Sequence, residues 1–137
     1  MPSPEPSLPS ILHTLQAQIV LAADFAAGAK AYDGGRYAEA FAAWHALAEA
    51  GDVRTQVAVA GMYRFGEGRA IDVRAAARWY RQAADADDPI AQLNYAEMLE
   101  RGIGMRRDRA AALRWYRKAA DSGNDWAADQ VRRLTRQ

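Results

Sequence analysis

The chain contains no cysteine, which excludes a disulfide framework, a thiolate metal site and a cysteine nucleophile without choosing a compartment. Proline is nearly confined to the start, where Pro2, Pro4, Pro6 and Pro9 leave Pro89 alone in the body. A body so poor in proline, with 32 alanines among 137 residues, favours helix and disfavours a β-sandwich or barrel. No apolar run approaches the roughly 20 residues that a bilayer-crossing helix needs. The run 19–23 already stops at Asp24. Only two histidines are present, His13 and His45, too far apart in sequence to suggest a metal centre. The serines at 3, 7, 10 and 122 lie outside any nucleophile elbow.

What remains is half apolar and 26% charged, the make-up of one soluble domain with a real core. The formal net charge of +1 is unevenly spread. Residues 1–52 carry two cations and six carboxylates, residues 53–137 carry sixteen and eleven, and sixteen of the eighteen cations are arginine. Such polarity can orient a molecule against a charged partner.

A shift of 36 aligns residues 53–88 with 89–124 without a gap, and 15 of the 36 pairs are identical. That is a true internal repeat. Gly66-Glu67-Gly68 falls on Gly102-Ile103-Gly104, Asp72 on Asp108, and Arg78-Trp79-Tyr80-Arg81 on Arg114-Trp115-Tyr116-Arg117. A degenerate copy lies upstream, with Asp33-Gly34-Gly35-Arg36-Tyr37, Ala40, Trp44 and Ala48, and has a loop four residues shorter. A truncated copy follows Asn124, where Trp126 falls on Ile90.

Each unit reads as two helices. Asp52, Asp88 and Asn124 stand where a side-chain oxygen caps a first helix, and Pro89 follows its cap where a missing N–H costs nothing. Gly66 and Gly102 suit the left-handed C-terminal cap of those helices, and Asp72 and Asp108 cap the second ones. Neither helix has a fully polar outside, so units must stack to bury their apolar surface. Neighbours on a helix point about 100° apart, so Tyr80 can fill its own helix pair while Trp79 reaches an adjoining unit. Truncating Trp79 or Trp115 to Ala is expected to cost roughly 3–5 kcal/mol, the usual range for a large buried aromatic.

These residues resemble the Sel1-like repeat, a relative of the tetratricopeptide repeat. One copy is carried by Gln56, Met62, Tyr63, Gly66, Gly68, Asp72, Trp79, Tyr80, Ala83 and Ala84. The next is carried by Ala91, Gln92, Met98, Gly102, Gly104, Asp108, Trp115, Tyr116, Ala119 and Ala120, with Leu99 where the family pattern has Tyr. The resemblance implies an all-α solenoid over residues 24–137, with units 24–52, 53–88 and 89–124 and a cap at 125–137. It also implies a module without catalysis or cofactor that binds a protein or peptide segment on its concave face, and a monomer is expected. By the same resemblance, the first helices line that face through Phe25, Ala29 and Tyr32. Arg54, Val57, Gly61 and Arg64 follow in the second unit, and Ile90, Leu93, Asn94, Glu97 and Arg101 in the third. The Lys/Asn arrangement by which some tetratricopeptide domains clamp a C-terminal carboxylate is missing.

Residues 1–9, rich in proline and serine, read as a disordered tail. Residues 10–23 read as an amphipathic helix whose face Ile11, Leu12, Leu15, Ile19 and Ala22 covers the open end of the stack. The competing reading is a degraded or misplaced export signal ending near Ala23, against which no cation precedes Lys30. The chain as written is cytoplasmic on the first reading and periplasmic on the second. Gly-x-Gly at 66–68 and 102–104 superficially suggests a phosphate loop, but neither copy completes a phosphate-binding motif and the repeat interval favours a helix cap. Glu97 and Glu100 share a helical face, as an acid/base pair would, although such carboxylates are usually just solvated. Arg78/Arg114 and Arg81/Arg117 form ladders along the second helices. The reading adopted for them is a solvated, ion-paired convex face, with an acidic protein or nucleic acid as the alternatives. An immunity protein blocking a cognate effector is the alternative among binding roles.

Overall fold

The capping residues act as their spacing predicts. Asp52 accepts a hydrogen bond from the Thr55 amide, Asp88 from Ala91, Asn124 from Ala127, Asp72 from Ala75 and Asp108 from Ala111, at 2.8–3.1 Å. Each opens a helix. The computed structural model describes residues 1–136, the side chains at 17 and 20–23 aside. Among these residues there are seven helices and no strand: α1 (Leu8–Asp33), α2 (Tyr37–Glu49), α3 (Val53–Phe65), α4 (Val73–Asp85), α5 (Pro89–Arg101), α6 (Arg109–Asp121) and α7 (Asp125–Thr135). Each packs chiefly on the helices before and after it in sequence, so the fold is an all-α repeat solenoid. Odd-numbered helices, the first of each pair, form one side of the stack and even-numbered helices the other.

The core is built from small residues on the facing helices, with a few large ones between them. Ala40, Ala48, Ala60, Ala76, Ala96 and Ala112 are wholly buried and let helices approach closely, while Met62, Met98 and Val59 fill the space between them. Gln56 and Gln92 are equally deep. Their Nε2 atoms donate to the carbonyls of Ala48 and Ala84 at 3.2 and 3.3 Å, giving a second partner to C-terminal carbonyls of α2 and α4 that also accept from the Gly51 and Asp87 amides. The repeated glutamine therefore joins one unit to the next.

The second glycine of each Gly-x-Gly also acts across units. Gly66 and Gly102 are left-handed C-caps, as expected. Gly68 and Gly104 have φ of +76° and +75°, and a Cβ added there would stand 2.4 Å from the Tyr37 carbonyl oxygen and 2.3 Å from that of Val73. Each loop thus lies directly on the start of the preceding second helix, an approach only glycine permits.

The aromatic pairs divide as expected in direction but not in depth. Tyr80 and Tyr116 are buried, whereas Trp79 and Trp115 are only half-buried. Trp79 does reach the preceding unit, meeting His45 edge-on at 5.7 Å. Because water keeps access to part of each indole, the cost of truncation falls below the full-burial figure.

The N-terminal segment departs most from expectation. A single helix, capped by Ser7 and carrying Pro9 in its first turn, runs through the boundary expected at residue 23. At about 1.5 Å per residue its 26 residues rise about 39 Å, twice the reach of the 13-residue α2 beside it. The leading half consequently has no neighbouring helix. Ile11, Leu12, Leu15 and Ile19 are 41–69% exposed rather than laid over the end of the stack. Ala22 lies outside the described side chains. No helix among the described residues is long and apolar enough to cross a membrane.

Candidate partner-binding surface

Most of the inner-face residues named from the sequence come together along the odd-numbered helices, but they meet one another rather than standing free. Phe25 of α1 stacks on Trp44 at 5.6 Å between ring centres, and the Arg54 guanidinium of α3 lies 3.3 Å above the Phe25 ring. Trp44 is itself held by donating its indole N–H to the Phe25 carbonyl at 3.1 Å. The Tyr32 hydroxyl donates to Glu67 at 2.7 Å. This bond, with burial and the carboxylate charge adding to it, pushes the phenol up to about 12. Val57 and Leu93 pack against the core, and Asn94 returns its amide to the Ile90 carbonyl of its own helix at 2.9 Å.

The charged members form staples between units. Arg64 of α3, whose side chain is only 9% exposed, donates to Glu97 of α5 at 2.9 Å, and Arg101 donates to the same carboxylate at 2.9 Å. Burial pushes Glu97 up, but the two guanidinium hydrogen bonds outweigh it and hold the group below the usual carboxylate range. One unit further on, Arg133 of α7 grips both oxygens of Glu100 at 2.6 and 2.7 Å. Glu100 also accepts from Tyr116, whose phenol is pushed well up by burial and by that carboxylate. Both arginine–glutamate pairs are 33 residues apart, the repeat less one helical turn. Glu100 and Arg133 were not among the inner-face residues named from the sequence. A 36-residue shift of Arg64 and Glu97, which the family resemblance put on the inner face, lands on both, so the repeat interval is the signal that finds them.

Between α5 and α7 this side opens into a cavity of about 390 Å³ lined by Leu93, Glu97, Glu100, Arg101, Tyr116, Trp126, Gln130 and Arg133. Trp126, in its lining, is 62% exposed, and Ile90, one repeat earlier at the start of α5, is 49% exposed. Apolar anchors thus stand next to charges already fixed in place.

The even-numbered side differs from expectation. Arg81 pairs with Asp85 at 3.3 Å, but Arg74, Arg78, Arg106, Arg107 and Arg114 meet no carboxylate among the described residues. Of the ladder arginines only Arg81 is ion-paired among the described residues, and Asp72 and Asp108 each give one carboxylate oxygen to a helix cap. His45 sits at the core edge among Phe41, Tyr63 and Trp79. No cluster of metal-binding type occurs among the described residues.

Comparison with known proteins agrees with this architecture. The Sel1 repeat family model matches residues 54–88 and 89–124. A Sel1 repeat protein from Oxalobacter formigenes superposes with a TM-score of 0.77 at 31% identity, covering 88% of this chain and 96% of that one. The protective antigen c5321 of uropathogenic Escherichia coli, which displays an SLR fold, gives 0.79 at 28% identity over 84% of this chain. This chain spans only 26% of that antigen's length. The cysteine-rich protein B of Helicobacter pylori shares the fold at 0.63 and 21% identity, covering 66% of this chain and 68% of its own. No curated protein matches. With two consecutive repeats recognised over just over half of its length, and a near full-length structural counterpart, the chain belongs to the Sel1 repeat family.

Proposed function

We propose that the protein binds a segment of a partner protein along the odd-numbered, inner side of the stack, without catalysis. Sel1 repeat proteins in general are protein–protein interaction modules. The observation that carries the reading for this chain is the α5–α7 cavity with Trp126 exposed in its lining, together with Ile90 exposed at the start of α5 one repeat earlier. Large apolar side chains standing in solvent beside a preformed recess are what an extended or helical segment uses as anchor points. The staples Arg64–Glu97–Arg101 and Glu100–Arg133 support the role by holding successive helices in fixed register, which lowers the ordering cost of binding.

Charge reversal at Arg54 and Arg64 is a poor test, since Arg54 covers Phe25 and Arg64 is nearly buried against Glu97. Ile90→Asp combined with Trp126→Ala alters exposed side chains instead. The expected outcome is loss of partner capture from native lysate with an unchanged melting temperature. Undiminished capture would remove the inner face from consideration.

A further inference from the structure

Arg74, Arg78, Arg106, Arg107 and Arg114 are not scattered. They line one groove on the even-numbered side, between α4 and α6, whose floor is Tyr95 and Leu99 of α5. A cavity of about 560 Å³ is bounded there by Arg81, Asp108, Arg114, Trp115 and Lys118. Sharing Arg81 and Tyr95 with it, a second recess of about 320 Å³ continues past Arg74, Arg78 and Met105. Arg106 and Arg107 close the end of the groove beside Tyr95 and Leu99.

The equivalent groove one unit earlier is filled. Phe41 and Tyr63 meet edge-on at 5.2 Å, His45 reaches Trp79 at 5.7 Å, and Arg69 lies 4.3 Å over the Tyr63 ring. At a shift of 36, Phe41 becomes Ala77 and His45 becomes Arg81, while Ala38 and Ala42 become Arg74 and Arg78. One ring is replaced by a methyl group, and the other ring and two methyl groups by guanidinium. The later groove therefore has both room and uncompensated positive charge, whose mutual repulsion an anionic occupant relieves.

We infer that this groove is a second binding site, for an acidic peptide segment of a partner protein carrying one aliphatic side chain. The cations Arg74, Arg78, Arg106, Arg107, Arg114 and Lys118 meet the carboxylates, and the recess over Leu99 and Ala111 takes the aliphatic group. Nucleic acid fits less well, because a base needs a free ring face. Tyr95 is only 8% exposed and meets Trp115 edge-on at 83°, while Lys118 lies 5.0 Å and Arg81 5.7 Å from the Trp115 ring centre. The site lies on the opposite side of the stack from the inner-face cavity and does not depend on it.

The test is anisotropy of a fluorescein-labelled peptide of Glu and Asp around a central Leu, against a labelled single-stranded oligonucleotide, at low and physiological salt. The peptide is expected to bind more tightly than the oligonucleotide. Arg78→Glu with Arg114→Glu, both on exposed side chains, is expected to weaken it about tenfold or more with unchanged melting. Ile90→Asp is expected to leave it unaltered, and replacing the central Leu by Gly to weaken it several-fold. Equal peptide affinity in the double variant, tighter binding of the oligonucleotide, or self-association abolished by the same substitutions would each overturn the proposal.

Discussion

The two sides of the stack use arginine in opposite ways. On the odd-numbered side, Arg64 and Arg133 each cross to a glutamate 33 residues away, so charge is consumed in joining units. On the even-numbered side, Arg74, Arg78 and Arg114 occupy register positions whose neighbours along the ladder are also arginine or small residues, so charge is left for something outside the chain. A repeat stacks like on like, and a ladder of one charge can be neutralised within the molecule only when the next unit substitutes the opposite sign. Glu97 and Glu100 do so on one side. On the other, Arg74, Arg78 and Arg114 meet no carboxylate among the described residues.

The largest expected effect tests the hinge of both sides. Gly104→Ala forces a Cβ into the Val73 backbone at a positive φ and should cost about 3 kcal/mol or more, read as a fall in the denaturation midpoint. It should also disturb both faces together, since the contact sets the loop against α4.

Neutralising one charge on each side sharpens the contrast. Glu97→Gln should cost about 1 kcal/mol at neutral pH, a figure kept low because its carboxylate is 37% exposed and screened by water. Arg78→Gln should stay within about 0.5 kcal/mol of the parent. Because the folded protein holds Glu97 below the usual carboxylate range, its contribution is present above the unfolded pKa and is lost as the pH falls through the folded value. The difference between the parent and Glu97→Gln should therefore shrink on acidification below the ordinary glutamate range. A gap that stays constant in acid would contradict the staple.

The smallest expected effect concerns the junction between units. Asp87 has φ of +67°, while Gly51 and Gly123 hold the corresponding positions at +100° and +93°. Asp87→Gly should raise stability by up to about 1 kcal/mol, and a clear loss would mean that the carboxylate has a use beyond the turn.

The repeat made the caps at 52, 72, 88, 108 and 124 legible, because an N-cap needs only its own helix and a fixed spacing. Gly68 and Gly104 were read merely as part of a cap motif. Their true constraint is the backbone of another unit, which no local window contains. Phe25, Arg54, Arg64 and Glu97 do lie on odd-numbered helices, yet their mutual pairing is not legible in the sequence, since it depends on the offset between stacked helices. The leading half of α1 misled for a simpler reason. Its apolar stripe of Ile11, Leu12, Leu15 and Ile19 has the pattern of a packed helix, and periodicity does not say whether a neighbour is long enough to receive it.

The contacts between units have one more consequence. Excising residues 53–88 would bring Asp52 directly before Pro89, leaving a capping aspartate at the start of α5 as before. Gln92 would then stand where Gln56 did, facing the Ala48 carbonyl, and Gly104 would fall on Tyr37 in place of Gly68. The same cut could be reversed to insert a copy. The chain is thus written so that its length can change by whole units without inventing a new seam, a route by which duplication alone could vary the reach of the surface it offers.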